Sequence, residues 1–220
     1  CAFMDTYDPK TVFSSIDQMG RYAYCNQPAI TKWNLSRFAE CLIPLIDKNQ
    51  NKAIEMATEV INTFEKKYEE KWLDMMRNKL GIFEINEKDK SLILDLLTWM
   101  HEKKVDYTNT FCYLMDSKSI KDKNYEDQNF LLWKKRWKER ILINKGSYEK
   151  SLKQMRKFNP LVIPRNYKVE EALDSSNFQD YSLVKKMIEA LKEPYKASNE
   201  KLDYQKPGIK NENYKTFCGT

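Results

Sequence analysis

Apolar residues recur at steps of three and four along most of this chain, the spacing of helices with one buried face. The first stripe covers residues 30–45. Pro28 precedes it and suits a first helical turn, because proline lacks the N–H that is unpaired there. Pro44 should end or kink this helix near its last turn. A longer stripe covers residues 53–80 and is followed by Gly81, a residue typical of the position just beyond a helix C-terminus.

Further stripes predict helices at about residues 92–100, 106–114, 130–142, 147–155 and 169–173, and a last clear helix over 180–191. Asp106 and Ser147 stand at helix starts, where a side-chain oxygen can accept a backbone N–H. Two prolines in the stretch "NPLVIPRN" force an extended connection. No alternating β-branched run and no Asn-Gly or Asp-Gly hairpin turn appears. The pattern therefore predicts an all-α fold.

Composition narrows the class of protein. The chain has 220 residues, of which 41% are hydrophobic and 13% aromatic, enough for the core of one domain with or without a tail. No stretch approaches the roughly 18 apolar residues of a membrane span, so no membrane partner is expected. The net charge of +6 is spread among interspersed charges, and nucleic-acid binding is only a weak alternative. In the densest basic run, 134–140, the tryptophan suits a core better than base stacking.

Five cysteines and one histidine show no metal-ligand spacing, which argues against a zinc site. The odd cysteine count without a secretory signal favours a reducing, cytoplasmic location. Cys41 and Cys112 lie among apolar residues on helical stripes and are expected to be buried. His101 follows a helical stripe and is expected at an exposed helix end.

Five separated motifs resemble the selenoprotein O family, in the same order. They are "FMDTYDPKTVFSSIDQMGRYAYCNQPAITKWNLSRFAECLIPLID" (residues 3–47), "WLDMMRNKLGI", "DYTNTF", "NPLVIPRN" followed by "VEEAL", and the terminal "YKTFCGT". The resemblance implies a protein-kinase-like fold that transfers AMP from ATP to hydroxyl side chains of target proteins, with a divalent metal such as magnesium. On that basis residues 1–27 are expected to form an activation-segment-like loop, 28–194 the helical lobe, and 195–220 an extended tail.

The family's chemistry resides in motifs that this sequence lacks: a Gly-rich loop, a phosphate-binding lysine and an Asp-Tyr-Gly-Pro motif whose aspartate binds metal. The resemblance places that aspartate upstream of Cys1. We therefore expect the C-terminal half of the family's architecture, which takes the missing N-terminal half as partner and alone binds neither ATP nor metal. No catalytic, cofactor-binding or metal residue is assigned, and Asp5, Asp8 and Asp17 are expected to cap turns. The alternative is a stand-alone α-helical binding or structural module without catalytic activity.

The resemblance gives a role to residues around the start of the first helix. Arg21 is expected to anchor the loop through charge-assisted hydrogen bonds. Asn26 or Gln27 occupies the cap position, and Gln27 and Asn34 are expected to satisfy buried loop groups. Trp33 and Asn34 are expected to tie the helix to the loop, and Trp33 is expected to be buried at the start of this helix, at the centre of the lobe. The alternative is that these residues merely cap and pack a helix.

Cys218 stands where the family has selenocysteine or cysteine. Several relatives pair that residue with a cysteine in the activation-like segment, and here the corresponding position is Phe13. Cys25 lies twelve residues further on and is the candidate redox partner of Cys218. The alternative is a free thiol on a mobile tail.

Overall fold

The structure is a computed structural model that describes residues 2–143, 147–197 and 202–208. Within these ranges it contains no sheet; one isolated bridge pairs Thr6 with Asp106. The helices are α1 Gln27–Ile46, α2 Gln50–Asn62, α3 Phe64–Lys79, α4 Asp89–Lys103, α5 Tyr107–Met115, α6 Gln128–Leu142, α7 Tyr148–Phe158, α8 Asn166–Asn177, α9 Ser182–Lys192 and α10 Leu202–Gln205. Short 3₁₀ turns occupy Tyr24–Asn26 and Lys123–Glu126. The all-α prediction is confirmed for the described part of the chain.

The long stripe at residues 53–80 is one helix in the sequence pattern and two in the structure, α2 and α3, which meet at Thr63. The Thr63 hydroxyl donates to the carbonyl of Val60 over 2.7 Å, so the bend keeps its hydrogen bonds. At the other end, α3 closes as predicted with Gly81 in the left-handed region, at φ +69°. The amide of Ile82 then donates to the carbonyl of Arg77 over 2.9 Å, which completes a Schellman cap.

Other local predictions are also confirmed. Asp106 accepts the amide of Asn109 over 2.7 Å at the start of α5, and Ser147 accepts that of Lys150 over 3.3 Å at the start of α7. Pro44 lies inside α1, which ends two residues later. The connection between α7 and α8 is free of regular structure, as its two prolines require. No helix in the described ranges combines the length and apolarity that crossing a membrane needs.

The core lies between α3, α4, α5, α6 and α7. Trp133 and Trp137 project from α6 into it with parallel rings 6.1 Å apart. Their indole N–H groups donate to the carbonyls of Leu92 and Leu80 over 2.8 and 2.9 Å, so neither buried donor is left unpaired. Trp137, the tryptophan of the basic run, is therefore a core residue, as predicted, and so is Trp133 just before that run.

A buried charge network joins α3, α4 and α6. Asp89, at the start of α4, is fully buried and accepts from Arg77 over 2.9 Å and from Arg140 over 2.7 Å. The amide of Asn86 donates to the same carboxylate over 2.9 Å. Because a buried carboxylate is costly unless it is paired and hydrogen-bonded, these contacts fix the relative positions of the three helices.

The first two helices depart most from expectation. None of the residues of α1 is buried, and α2 buries only Ala53. Trp33 is 48% exposed and Cys41 is also exposed, so the predictions that both are buried are wrong. The helical stripe identified an apolar face correctly, but the described chain does not cover that face.

Candidate functional site

The loop before α1 is folded on itself by short-range hydrogen bonds. Both carboxylate oxygens of Asp17 accept backbone amides, from Arg21 and Tyr22, each over 2.8 Å. Gly20 turns the chain at φ +65°, and its carbonyl accepts the side-chain amide of Asn26 over 2.8 Å. The amide of Cys25 donates to the carbonyl of Pro9 over 2.8 Å. The loop is therefore held in one shape before the helix begins.

Arg21 anchors the loop differently from the predicted charge-assisted hydrogen bonds. Its guanidinium carbon lies 4.6 Å from the centroid of the Trp33 ring, and that of Arg37 lies 5.6 Å from the same ring. An arginine over an indole face at these distances makes a cation–π contact, worth about 0.5–1 kcal/mol at an exposed site. Trp33 thus links loop and helix from the surface rather than from the core.

The polar residues at the junction also differ from their predicted roles. Asn26 holds the cap position, but its backbone is already helical and its side chain makes no cap bond, because a 3₁₀ turn runs directly into α1. Its amide spans the loop to Gly20 instead. Gln27 and Asn34 are exposed. The prediction that their side chains form hydrogen bonds with buried groups of the loop is therefore wrong for the described chain.

The segment before this loop is tied to α5. The amide of Tyr7 donates to the carbonyl of Val105 over 2.9 Å, and that of Tyr107 to the carbonyl of Asp5 over 2.8 Å. The Tyr7 ring stacks on Tyr107 at 5.7 Å and meets Tyr24 edge-on at 6.1 Å. Burial raises the pKa of Tyr7 to about 12 and also raises those of Tyr24 and Tyr107. The three phenols therefore stay protonated at neutral pH.

Arg165 is a residue that sequence reasoning missed. It is fully buried, and its guanidinium pairs with Asp5 over 2.6 Å and with Asp106 over 2.7 Å. It also donates to the carbonyl of Gln205 over 2.9 Å, which Asn109 contacts as well, over 3.2 Å. One side chain thus joins the N-terminal segment, the start of α5 and α10. The available signal was an arginine in an apolar stretch that no helical spacing explains.

Contacts in the structure show whether Asp5, Asp8 and Asp17 cap turns, as the sequence predicted. Asp8 accepts the amide of Lys10 over 2.8 Å and Asp17 accepts two amides, so both cap turns as expected. For Asp5 that expectation is wrong, because its carboxylate pairs with Arg165. Burial raises the pKa of Asp106, an effect that the positive charge of Arg165 opposes. Among the described residues no group of three or more His, Cys, Asp or Glu is placed to hold a metal ion.

The cysteines and the histidine divide by exposure. Cys25 and Cys41 are exposed, whereas Cys112 is buried as predicted, and burial raises the pKa of its thiol to about 11. His101 is in the last turn of α4, with its side chain 49% exposed, as expected. Cys218 lies outside the described residues, so its pairing with Cys25 stays a prediction.

Comparison with known proteins gives a consistent result. A family model described as "Protein adenylyltransferase SelO" matches residues 1–192. A "Protein nucleotidyltransferase YdiU" from Pelagibacter ubique is 55% identical over 222 aligned positions, which cover 100% of this chain and 46% of the relative. Proteins of the same name from Clostridium botulinum and Nitrosococcus oceani are 49% and 46% identical, over 100% of this chain and 45% of each relative. The chain spans about half the length of the curated relatives it matches. It belongs to the SelO family of protein adenylyltransferases.

Proposed function

We propose that this chain is the C-terminal portion of a protein adenylyltransferase, which transfers AMP from ATP to hydroxyl side chains of target proteins. The observation that carries the proposal is the match to that family over residues 1–192, together with 55% identity to a nucleotidyltransferase along the whole chain. The described residues offer no metal-binding cluster. We propose that ATP and magnesium bind the part of the family's architecture that the chain does not span, because the motifs that the resemblance assigns to them are missing from this sequence, and we derive no catalytic step from its own residues.

In this proposal the chain is the helical lobe of a kinase-like fold. The loop that Asp17, Gly20 and Asn26 close is its activation-segment-like loop, and it leads directly into α1. Arg165 ties the segment around Asp5 to the lobe, so the chain entering at the N-terminal end is held in a fixed position. Position matters in nucleotidyl transfer, where placing the reactants supplies much of the rate acceleration.

The partner we propose is the remaining half of the family's chain, packed on an outer apolar stripe of α1. We define the α1 stripe as Leu35, Phe38 and Leu45, spaced by three and seven residues on one helical face and 37%, 61% and 81% exposed. Neighbouring α2 adds Ile54 and Val60, at 45% and 66%. Contiguous exposed apolar faces mark interaction surfaces, and we propose that this face is one. The relatives are about twice as long as this chain, and we propose that the further polypeptide covers this face.

A chimera tests the proposed activity. The matching portion of the Pelagibacter ubique relative is replaced by this chain, and the product is incubated with ATP and magnesium and with candidate target proteins. ATP labelled at the α-phosphate should label protein, and ATP labelled at the γ-phosphate should not, because adenylyl transfer retains the α-phosphate and releases pyrophosphate. Labelling from the γ-phosphate alone would indicate phosphoryl transfer instead. No labelling by a folded chimera, with the unmodified relative active, would favour the stand-alone helical module.

We also propose that Cys218 and Cys25 form a regulatory disulfide. Cys25 is exposed in the loop, where a second thiol can reach it. Mild oxidation of the chain followed by peptide mass spectrometry should recover a Cys25–Cys218 peptide, absent from the Cys25→Ser variant. Oxidised protein in which both thiols remain alkylatable contradicts the pairing.

A further inference from the structure

A cavity of about 340 Å³ lies between the N-terminal segment, the end of α3 and the start of α5. Its walls are largely apolar, and four aromatic residues line it: Phe3, Phe13, Tyr24 and Tyr107. Lys79, in the last turn of α3, is the one cation among its described lining residues. We call this the Lys79 cavity. Its volume is at the lower end of the range for small-ligand pockets, about 300–1,000 Å³.

The ammonium of Lys79 is held against aromatic faces rather than against a carboxylate. Its Nζ lies 4.2 Å from the centroid of the Phe111 ring and 5.4 Å from that of Tyr107. Within the described ranges its ammonium has no carboxylate partner, and burial is the main influence on its charge. Cation–π contacts compensate for part of the hydration free energy that the buried ammonium loses, but they supply no opposite charge. Burial accordingly lowers the pKa of Lys79 from 10.5 to about 8.

The base of the side chain is fixed, which gives the cavity a preset geometry. Asn159 is buried and donates its side-chain amide to the carbonyl of Lys79 over 2.8 Å and to that of Met155 over 2.9 Å. These two carbonyl acceptors determine which way the amide points. The backbone carrying Lys79 is therefore held against α7, and only the four-carbon stem remains to place the ammonium.

We propose that the Lys79 cavity binds a monocarboxylate with an apolar body, its carboxylate on the Lys79 ammonium and its body against the aromatic wall. One cation neutralises one negative charge, so a phosphate dianion would leave an uncompensated charge in a largely apolar space. A neutral ligand would leave the ammonium unpaired. A free carboxylic acid and the carboxylate of a polypeptide share this chemistry. The inference is independent of adenylyl transfer.

Isothermal titration calorimetry tests the proposal. The 220-residue chain is titrated with sodium benzoate and, separately, with sodium hexanoate. Saturable binding is expected, at least tenfold weaker in Lys79→Met, which keeps the apolar stem and removes the charge. Lys66→Met, an exposed position on the same helix, should bind as the wild type does. Benzamide, which matches benzoate in shape without its charge, should bind at least tenfold more weakly than benzoate.

Two further measurements distinguish the source of the carboxylate and guard against misfolded variants. A chain ending at Gly208 is titrated in the same way, and tighter benzoate binding there means that the carboxyl-terminal segment competes for the cavity. Benzoate should also slow reductive methylation of Lys79 in the wild-type chain, a readout that needs no variant. Equal binding by wild type and a folded Lys79→Met overturns the proposal. So does the absence of binding and of protection in both the full and the shortened chain.

Discussion

Substituting Gly81 by alanine tests the packing of α3 on α7. Gly81 has φ +69°, and a Cβ added there would lie 2.7 Å from the carbonyl oxygen of Ser151 and 3.0 Å from its Cβ. Ser151 is fully buried and its carbonyl belongs to the backbone of α7, so it cannot yield as a flexible side chain would. The substitution therefore combines backbone strain with a steric clash at the end of the core.

The magnitude follows from three contributions. A left-handed conformation costs alanine about 1–2 kcal/mol. Forcing an extra methyl group into a packed interior costs about 1–3 kcal/mol. Reduced freedom of the unfolded chain returns about 0.4–1 kcal/mol. We expect Gly81→Ala to lower the free energy of unfolding by about 3 kcal/mol, the middle of the range that these contributions span.

Gly20→Ala is the matched control. Gly20 has a similar φ of +65°, but its added Cβ would meet Ala23 at 3.7 Å and Val12 at 3.8 Å, which are ordinary contacts. Gly20→Ala introduces the backbone strain without the steric clash. It should lower the free energy of unfolding by about 1 kcal/mol. Urea denaturation followed by circular dichroism measures both. If Gly81→Ala costs no more than Gly20→Ala, the close approach of α3 and α7 is wrong.

The remaining predictions concern exposure, charge and ligand binding. Trp33→Ala should lower the free energy of unfolding of the separate chain by less than about 1.5 kcal/mol in urea denaturation, because Trp33 is 48% exposed. Replacing a fully buried tryptophan by alanine would lower it by about 3–5 kcal/mol. Native alkylation followed by peptide mass spectrometry should modify Cys25 and Cys41 well before Cys112, whose thiol is buried with a pKa of about 11; equal rates would contradict this order. The pKa of Lys79, lowered from 10.5 to about 8, means that the folded chain binds fewer protons than the unfolded chain within this range, so this group's contribution to stability rises with pH. The free energy of unfolding of wild type minus that of Lys79→Met should therefore rise from pH 8 to pH 10. A flat difference would refute the shifted pKa of Lys79. Calorimetry should detect no magnesium-dependent ATP binding to the separate chain, and saturable micromolar binding would overturn that expectation.

Local spacing predicted most of the helices because it encodes which face of a segment is apolar. The caps at Asp106 and Ser147 and the glycine closure of α3 were predictable for the same reason, since each depends on residues within one turn. The core position of Trp137 followed from the helical stripe around it. These features belong to single elements and need no knowledge of the rest of the fold.

Long-range features were beyond the sequence pattern. A stripe shows that α1 has an apolar face but not what covers it, so Trp33 and Cys41 were expected to be buried and are exposed. Arg165 reaches Asp5 across 160 residues and Asp106 across 59, separations that leave no periodic signal. The sequence could not show whether Arg21 forms charge-assisted hydrogen bonds or a cation–π contact with Trp33, because an arginine at this position suits both.

The most direct test of the central claim is AMP transfer by two separately purified parts: this chain, and the portion of the Pelagibacter ubique relative that the chain does not match. With ATP labelled at the α-phosphate, neither part alone should label protein, whereas the mixture should. Phe38→Asp, in the α1 stripe, should reduce labelling by the mixture at least tenfold. Phe178→Asp, the same substitution at a residue that is 86% exposed outside that stripe, should leave labelling unchanged. Labelling by this chain alone, or a stable complex of the two parts that transfers no AMP, would contradict the account.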